Sequence, residues 1–274
     1  MQNYSEAKFR YGFESFGVKI GIASNRKSLL RKVSGNLPDI VPAQYLSVFE
    51  GETEHNFLLK KIGKTYRLFK NGEDIGFGDI YSEESLVNYF FGRMRLTIAE
   101  FAVGKVFLHA GVVGWKEKAI IIPGNSFSGK TTLVAELIKN GAVYYSDEYA
   151  ILDENGLNFP FPKTLSMRGV IDEYKQVEMT AEDFGGEIGS QPLPVGMIFL
   201  AKYEKDAEWN PEVLSAGNAM MEILPHTIPI RFNPKYSLQV LNKIVNRAII
   251  AKSKRGDATK VVNLLLRFFE TNAT

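Results

Sequence analysis

The chain has 274 residues, 45% hydrophobic and 23% charged, with 19 Phe and 12 Tyr: enough apolar surface for a packed core, and an ordinary charge content that argues against wholesale disorder. Its 33 Lys and Arg against 31 Asp and Glu leave a net charge of +2, which gives no electrostatic case for nucleic acid as the main partner. There is no cysteine, so disulfides, zinc thiolate sites and cysteine nucleophiles are excluded, and no apolar run approaches the roughly 18 residues that a membrane span needs. The opening Met1-Gln2-Asn3-Tyr4-Ser5-Glu6 lacks a basic and apolar signal pattern, so the glycosylation-like Asn3-Tyr4-Ser5 carries no meaning and a cytoplasmic protein is expected. The length suits one main domain with an elaboration, or two domains.

Residues 13–22 read as a Gly-punctuated β-type run, and 25–33 as a short helix capped by Ser24 or Asn25. Phe57-Leu58-Leu59, Tyr66-Arg67-Leu68-Phe69 and Asp74-Ile75-Gly76-Phe77 read as short strands, with Asn71-Gly72 a hairpin turn before the last. Ser82 and the acids Glu83 and Glu84 open a helix whose apolar residues continue at helical spacing from Leu86 to Phe101, with Gly104 near its end. This gives an α+β amino-terminal region over 1–104. Residues 105–274 then read as an α/β domain with C-terminal helices. Val106-Phe107-Leu108 is a short strand leading to His109, and Ala119-Ile120-Ile121-Ile122 is a buried central strand. Residues 132–140 form a helix closed by Gly141, and 142–146 the next strand, with Asp147 and Glu148 at its end. A flexible loop is expected over 185–192, a strand over 195–203, and helices over 212–224, 236–252 and 259–270. The basic run Lys252-Ser253-Lys254-Arg255 is expected to be a solvated loop between helices.

Gly124-Asn125-Ser126-Phe127-Ser128-Gly129-Lys130-Thr131 matches G-x-x-x-x-G-K-[ST] without a mismatch. With Gly usage of about 7%, such a match arises by chance in on the order of 1% of chains this long. An apolar strand precedes it and an amphipathic helix follows, which is the context a phosphate-binding loop requires. Glycines let successive N–H groups turn inward around an anion, and the helix N-terminus adds its positive dipole end. Residues 124–129 and Thr132 would cradle the phosphates, Lys130 would place its charge on the β and γ phosphates, and Thr131 would supply a hydroxyl to magnesium.

The acids 17 and 18 residues beyond Lys130, Asp147 and Glu148, are the only good candidates for the Walker B position. One could hold magnesium and the other take a proton from an attacking hydroxyl. A GTPase is disfavoured, because Asp153-Glu154-Asn155-Gly156 is explained as a hairpin loop and Asn242-Lys243-Ile244-Val245 lacks the Asp that reads guanine.

With His109 and Gly111 upstream, the phosphate loop, the helix Glu136-Leu137-Ile138-Lys139-Asn140-Gly141 and the acid pair, residues 107–169 resemble the catalytic domain of HPr kinase/phosphorylase and its relatives. The resemblance implies a P-loop core of the HPr kinase type. It implies that Asp147 accepts the proton of a serine hydroxyl, that Glu148 is associated with magnesium, and that His109 lies near the base. Arg168-Gly169 resembles a downstream family signature. The chain departs from the family at Ser166, where a glutamate is expected, and at Glu148, where the family has aspartate. The family's amino-terminal domain is not recognisable in residues 1–100, which fits the broader group of HPr-kinase-like proteins, kinases of peptide precursors among them.

The expected function is an ATP- and magnesium-dependent kinase acting on a hydroxyl of a peptide, protein or small molecule. Asp147, His109 and Lys130 would be catalytic, and Thr131 and Glu148 would serve the metal. A non-catalytic ATP-binding module and an ATPase are the alternatives. Arg168 and Arg231 are further cationic candidates, while His55 and His226 read as surface or structural residues. The resemblance suggests a homo-oligomer; no nucleic acid or membrane partner is expected.

Overall fold

The computed structural model describes Tyr4 and residues 7–76, 78–125, 128–167 and 177–272. Ser126 and Phe127 of the phosphate loop, and Arg168 and Gly169, lie outside the described residues. The chain divides into two compact units, Met1–Val103 and Gly104–Thr274. Among the described residues no helix is long and apolar enough to cross a membrane.

The first unit contains β1 (Phe9–Ser15), β2 (Val18–Ser24), α1 (Lys27–Gly35), α2 (Leu37–Ile40), β3 (Ser47–Val48), β4 (His55–Ile62), β5 (Thr65–Lys70), β6 (Glu73–Asp74) and α3 (Glu83–Phe101). The strands make one sheet in the order β3-β1-β2-β4-β5-β6, antiparallel except for the β2–β4 pair. The run expected over 13–22 is thus a hairpin of two strands, turned at Phe16 and Gly17, both with positive φ. Asn71 and Gly72 make the two-residue turn between β5 and β6, again with φ positive at both. Ser82 caps α3 by accepting the Ser85 N–H at 3.0 Å. Asn25 does not cap α1; its side chain instead bonds the backbone of Lys61 in both directions. Phe90 of α3 meets Phe57 of β4 edge to face, with ring centres 5.3 Å apart.

The second unit contains β7 (Val106–Trp115), β8 (Lys118–Pro123), α4 (Lys130–Lys139), β9 (Val143–Ser146), β10 (Tyr149–Leu152), β11 (Leu157–Phe159), β12 (Leu165–Met167), β13 (Val177–Met179), β14 (Leu193–Tyr203), β15 (Glu212–Val213), α5 (Ala216–Ile223), α6 (Pro234–Val245), β16 (Ile249–Arg255) and α7 (Ala258–Asn272). Its main sheet runs β11-β10-β7-β8-β14-β16-β15, with β9 also paired to β7. Strands β8, β14 and β16 are parallel. Two apolar clusters cover the two faces: Ile120, Ile122, Met197 and Phe199 pack with α4 and α7, and Ala119, Ile121, Ile198 and Leu200 pack with α5 and α6. The result is a mixed α/β architecture with helices on both faces of the sheet.

Three sequence expectations differ from this. His109 lies within β7, which continues to Trp115, and does not follow a short strand. The helix expected over 212–224 begins only at Ala216, after β15. The helix expected over 236–252 stops at Val245, and its last residues belong to β16 together with the basic run. That run is therefore no loop. Ala251, Ser253 and Arg255 point inward, while Lys252 and Lys254 alternate outward to Glu222 and Glu204 at 2.6 and 2.9 Å. Period-two burial beside β14 outweighs the local charge density.

Phe269 of α7 is 1% exposed, and its ring stands 2.8 Å from where a Cβ on Gly196 of β14 would sit. Phe269→Ala is expected to cost about 3–5 kcal/mol in urea denaturation, because the sheet cannot collapse into the space. A loss below about 1 kcal/mol would mean that α7 does not seal this face.

Candidate active site

Strand β8, which precedes the Gly-rich motif, leaves the sheet at Gly124, whose N–H donates to the His109 carbonyl at 3.3 Å. The chain re-enters regular structure at Gly129, left-handed at φ 79, and Lys130 opens α4. Behind the loop stands Arg255, 2% exposed, whose Nη2 donates to the Gly129 carbonyl at 2.7 Å and whose Nη1 donates to the Gly256 carbonyl at 3.0 Å. Lys130 itself is only 8% exposed.

The acids arrive by a different route from simple strand adjacency. β9 and β10 run as two successive segments antiparallel to β7, with Ser146 near Val112 and Tyr149 opposite His109. Asp147 and Glu148 occupy the break between them. Ser146 Oγ accepts the N–H groups of Glu148 and Tyr149 at 3.2 and 3.0 Å, and the Ala110 N–H donates to the Glu148 carbonyl at 3.1 Å. The break is thus fixed on both sides.

Strand β7 lies between this break and β8, so a side chain on β7 could separate the acids from the loop. At the decisive position there is none. A Cβ on Gly111 would clash with Val134 Cγ2 and would stand 3.3 Å from Lys130 Cγ and 3.7 Å from Asp147 Oδ1. Through that gap Thr131 Oγ1 donates to Asp147 Oδ2 at 2.8 Å. Asp147 Oδ1 is buried with no hydrogen-bond partner among the described residues. Glu148 Oε2 pairs with Lys163 at 3.3 Å, and Lys163 is held by its carbonyl, which accepts the Tyr144 hydroxyl.

No family model matches the sequence, and no curated protein matches it. Among solved structures, the chain is similar to the Hpr(Ser) kinase/phosphatase from Coxiella burnetii, with 13% identity and a TM-score of 0.39, over 60% of this chain and 96% of that one. The resemblance is distant; what the site can do follows from its own residues.

Burial sets the protonation states. It pushes Asp147 up to about 6 despite the Thr131 hydrogen bond and the charges of Lys130 and Lys163, with Glu148 adding to the rise. Burial also lowers Lys130, against the pull of Asp147 and Glu148. His109 falls to about 4 through burial and then the Lys130 charge, with Glu148 opposing and His226 adding to the fall. His226 is lowered by burial and by Lys130, with Glu222 opposing.

The described residues thus gather Lys130, Thr131, Asp147, Glu148 and His109, as the sequence motifs name them, and add three that they do not: Lys163, His226 and Arg255. His226, read from sequence as surface or structural, lies within electrostatic reach of Lys130 and His109. His55 belongs to the first unit, where it stacks on Phe101 at 4.4 Å between ring centres. Arg231 is exposed at the end of the turn Ile228–Arg231. Ser166 pairs across strands with Glu178 and donates a hydrogen bond to its carboxylate, so an acid stands beside Ser166.

No group of three or more His, Cys, Asp or Glu that could hold a metal occurs among the described residues. Magnesium beside a nucleotide needs less. It keeps several waters and takes one or two protein oxygens plus substrate phosphates. A hydroxyl bonded to a carboxylate that retains a free oxygen, with a second acid next to it in sequence, fits that demand.

A carboxyl whose folded pKa lies above its unfolded value favours the native state as pH falls and penalises it above the folded pKa. Asp147 therefore costs stability progressively as pH rises from about 4 to about 6, and in full above that. Asp147→Asn is expected to raise stability by about 1–3 kcal/mol at pH 8, with the gain shrinking as pH drops from 6 towards 4. Urea denaturation at the two pH values checks this; a pH-independent difference would remove the buried carboxylate from the account.

Proposed function

We propose that this chain is an ATP-dependent kinase of the HPr-kinase-like, P-loop type that transfers the γ-phosphate to a hydroxyl, most simply a serine, of a peptide, protein or small molecule. The observation that carries the reading is the 2.8 Å hydrogen bond from Thr131 to Asp147 beside a buried Lys130. It joins the end of the phosphate-loop motif to the downstream acid, a link that a Gly-rich structural turn has no reason to make.

The main-chain N–H groups at 124–132 and the N-terminus of α4 bind the phosphates. Lys130, kept cationic by Asp147 and Glu148, neutralises the transferring group. Magnesium, when bound with the nucleotide, neutralises phosphate charge; Thr131 would hold it, with Glu148 beside it. The Thr131 proton is directed to Asp147 Oδ2, which leaves the hydroxyl lone pairs of Thr131 available. Asp147 Oδ1 is then the base: it takes the proton of the acceptor hydroxyl as the new oxygen–phosphorus bond forms and the bond to the β,γ-bridging oxygen breaks, releasing ADP. A carboxylate raised to about 6 is ionised at neutral pH and basic enough for that step. His109, neutral at that pH, orients groups without adding charge. Most of the acceleration comes from positioning and from fixed charge.

Lys130→Ala is expected to abolish nucleotide binding or turnover, read by calorimetry with ATP and magnesium. Asp147→Asn is expected to keep ATP binding and lose transfer by about 10²–10⁴-fold, the usual span for a general base. The assay is mass spectrometry of a peptide panel after incubation with ATP. Transfer at the native rate in Asp147→Asn would defeat the proposed base. Steady phosphate release without any acceptor would favour an ATPase.

A further inference from the structure

Past Gly124 the edge of β7 does not stay open. The short turns Leu224–His226 and Ile228–Arg231 take over the line that β8 has left, and Thr227 forms an antiparallel bridge with Leu108. His226 lies next to that bridge, and its ring is within electrostatic reach of His109, which is two residues from Gly111 on the face of β7 that meets the start of α4. His226 therefore sits where the phosphate loop departs from the sheet, on the side of Lys130.

Its Nδ1 is buried and has no hydrogen-bond partner among the described residues. Buried polar atoms left unpaired are few in native structures, and a ligand is one of the things that can complete the bond. The charged and titratable groups around the ring are Lys130, His109 and Glu222. With Lys130 and burial opposing a second positive charge, the imidazole stays neutral and offers one N–H and one lone pair.

We propose that His226 contacts the terminal phosphoryl group of the bound nucleotide, donating a hydrogen bond to it from Nδ1. This rests on the nucleotide reading above and makes it sharper: the site tells a triphosphate from a diphosphate by a residue far downstream of the phosphate loop. Lys130 supplies charge, and His226 supplies direction.

The test is calorimetric titration of the full chain with magnesium ATP and, separately, magnesium ADP. His226→Ala is expected to weaken ATP binding about tenfold while changing ADP binding less than twofold, because ADP lacks the group contacted. His226→Asn, whose side-chain amide can place an N–H near the lost Nδ1, is expected to recover part of the ATP affinity. A structural role would weaken both nucleotides alike, and that result overturns the proposal, as does unchanged ATP affinity in a folded variant. If His226→Ala does not fold, the ATP-to-ADP ratio of His226→Asn decides: it must fall while ADP affinity holds, and an unaltered ratio overturns the proposal. Failure of the native chain to bind either nucleotide would sink the underlying reading and this inference with it.

Discussion

The site exists because one side chain is missing. Strand β7 separates the Gly-rich segment after β8 from the acids between β9 and β10, and at Gly111 the two sides come close. A methyl group there would press on Val134 of α4 while crowding the stem of Lys130 and the carboxylate of Asp147. Everything that makes the cluster chemical, namely the shared proton between Thr131 and Asp147 and the mutual charge of Lys130 and the acids, depends on that gap. The glycine serves close approach here, not an unusual backbone angle.

Two supports keep the gap useful. On the acid side, Ser146 ties down the backbone of Glu148 and Tyr149, so the carboxylates project from a fixed break in an otherwise continuous line along β7. On the loop side, Arg255 reaches from the end of β16 to the Gly129 carbonyl. Gly129 is left-handed, and a Cβ there would stand 2.5 Å from the guanidinium, so the residue and its buried partner require each other. A guanidinium sealed from water is costly unless hydrogen-bonded. Two backbone carbonyls meet part of that need, while Nε has no partner among the described residues, and the charge stands behind Gly129.

How much of this could be read beforehand follows from the range of each signal. The phosphate loop, α4 and the strand before it are local patterns: a spaced Gly-Lys-Thr motif, apolar residues at helical intervals, and a four-residue apolar run. So are the Asn71-Gly72 turn and the Ser82 cap. Lys163 and His226 reach the site only through tertiary pairing, and nothing near them in sequence marks them. Arg255 had one usable cue. The alternation Ala251-Lys252-Ser253-Lys254-Arg255, following Ile249-Ile250, has strand period, and it was masked by the density of charge. Gly111 had none, because a glycine that makes room looks like any other glycine until its neighbours are placed.

The described cavities do not point to the same place. The largest of them, about 520 Å³, opens among Lys118, Gly196, Arg247 and Ile249, at the amino ends of β8, β14 and β16. The phosphate loop leaves the opposite, carboxyl end of β8. In open α/β sheets ligands gather outside the carboxyl ends of parallel strands, where helix N-termini and loop N–H groups converge. Size therefore misleads, while polarity and pairing do not. The carboxyl edge carries a buried lysine and, among the described residues, an unpartnered carboxylate oxygen and an unpartnered imidazole nitrogen. Leaving such atoms unsatisfied is costly in a fold that has no other use for them. A hydrogen-bond donor at the carboxylate oxygen and a partner for the imidazole nitrogen would remove that cost, which makes this edge, and not the larger cavity, the place to look for a ligand.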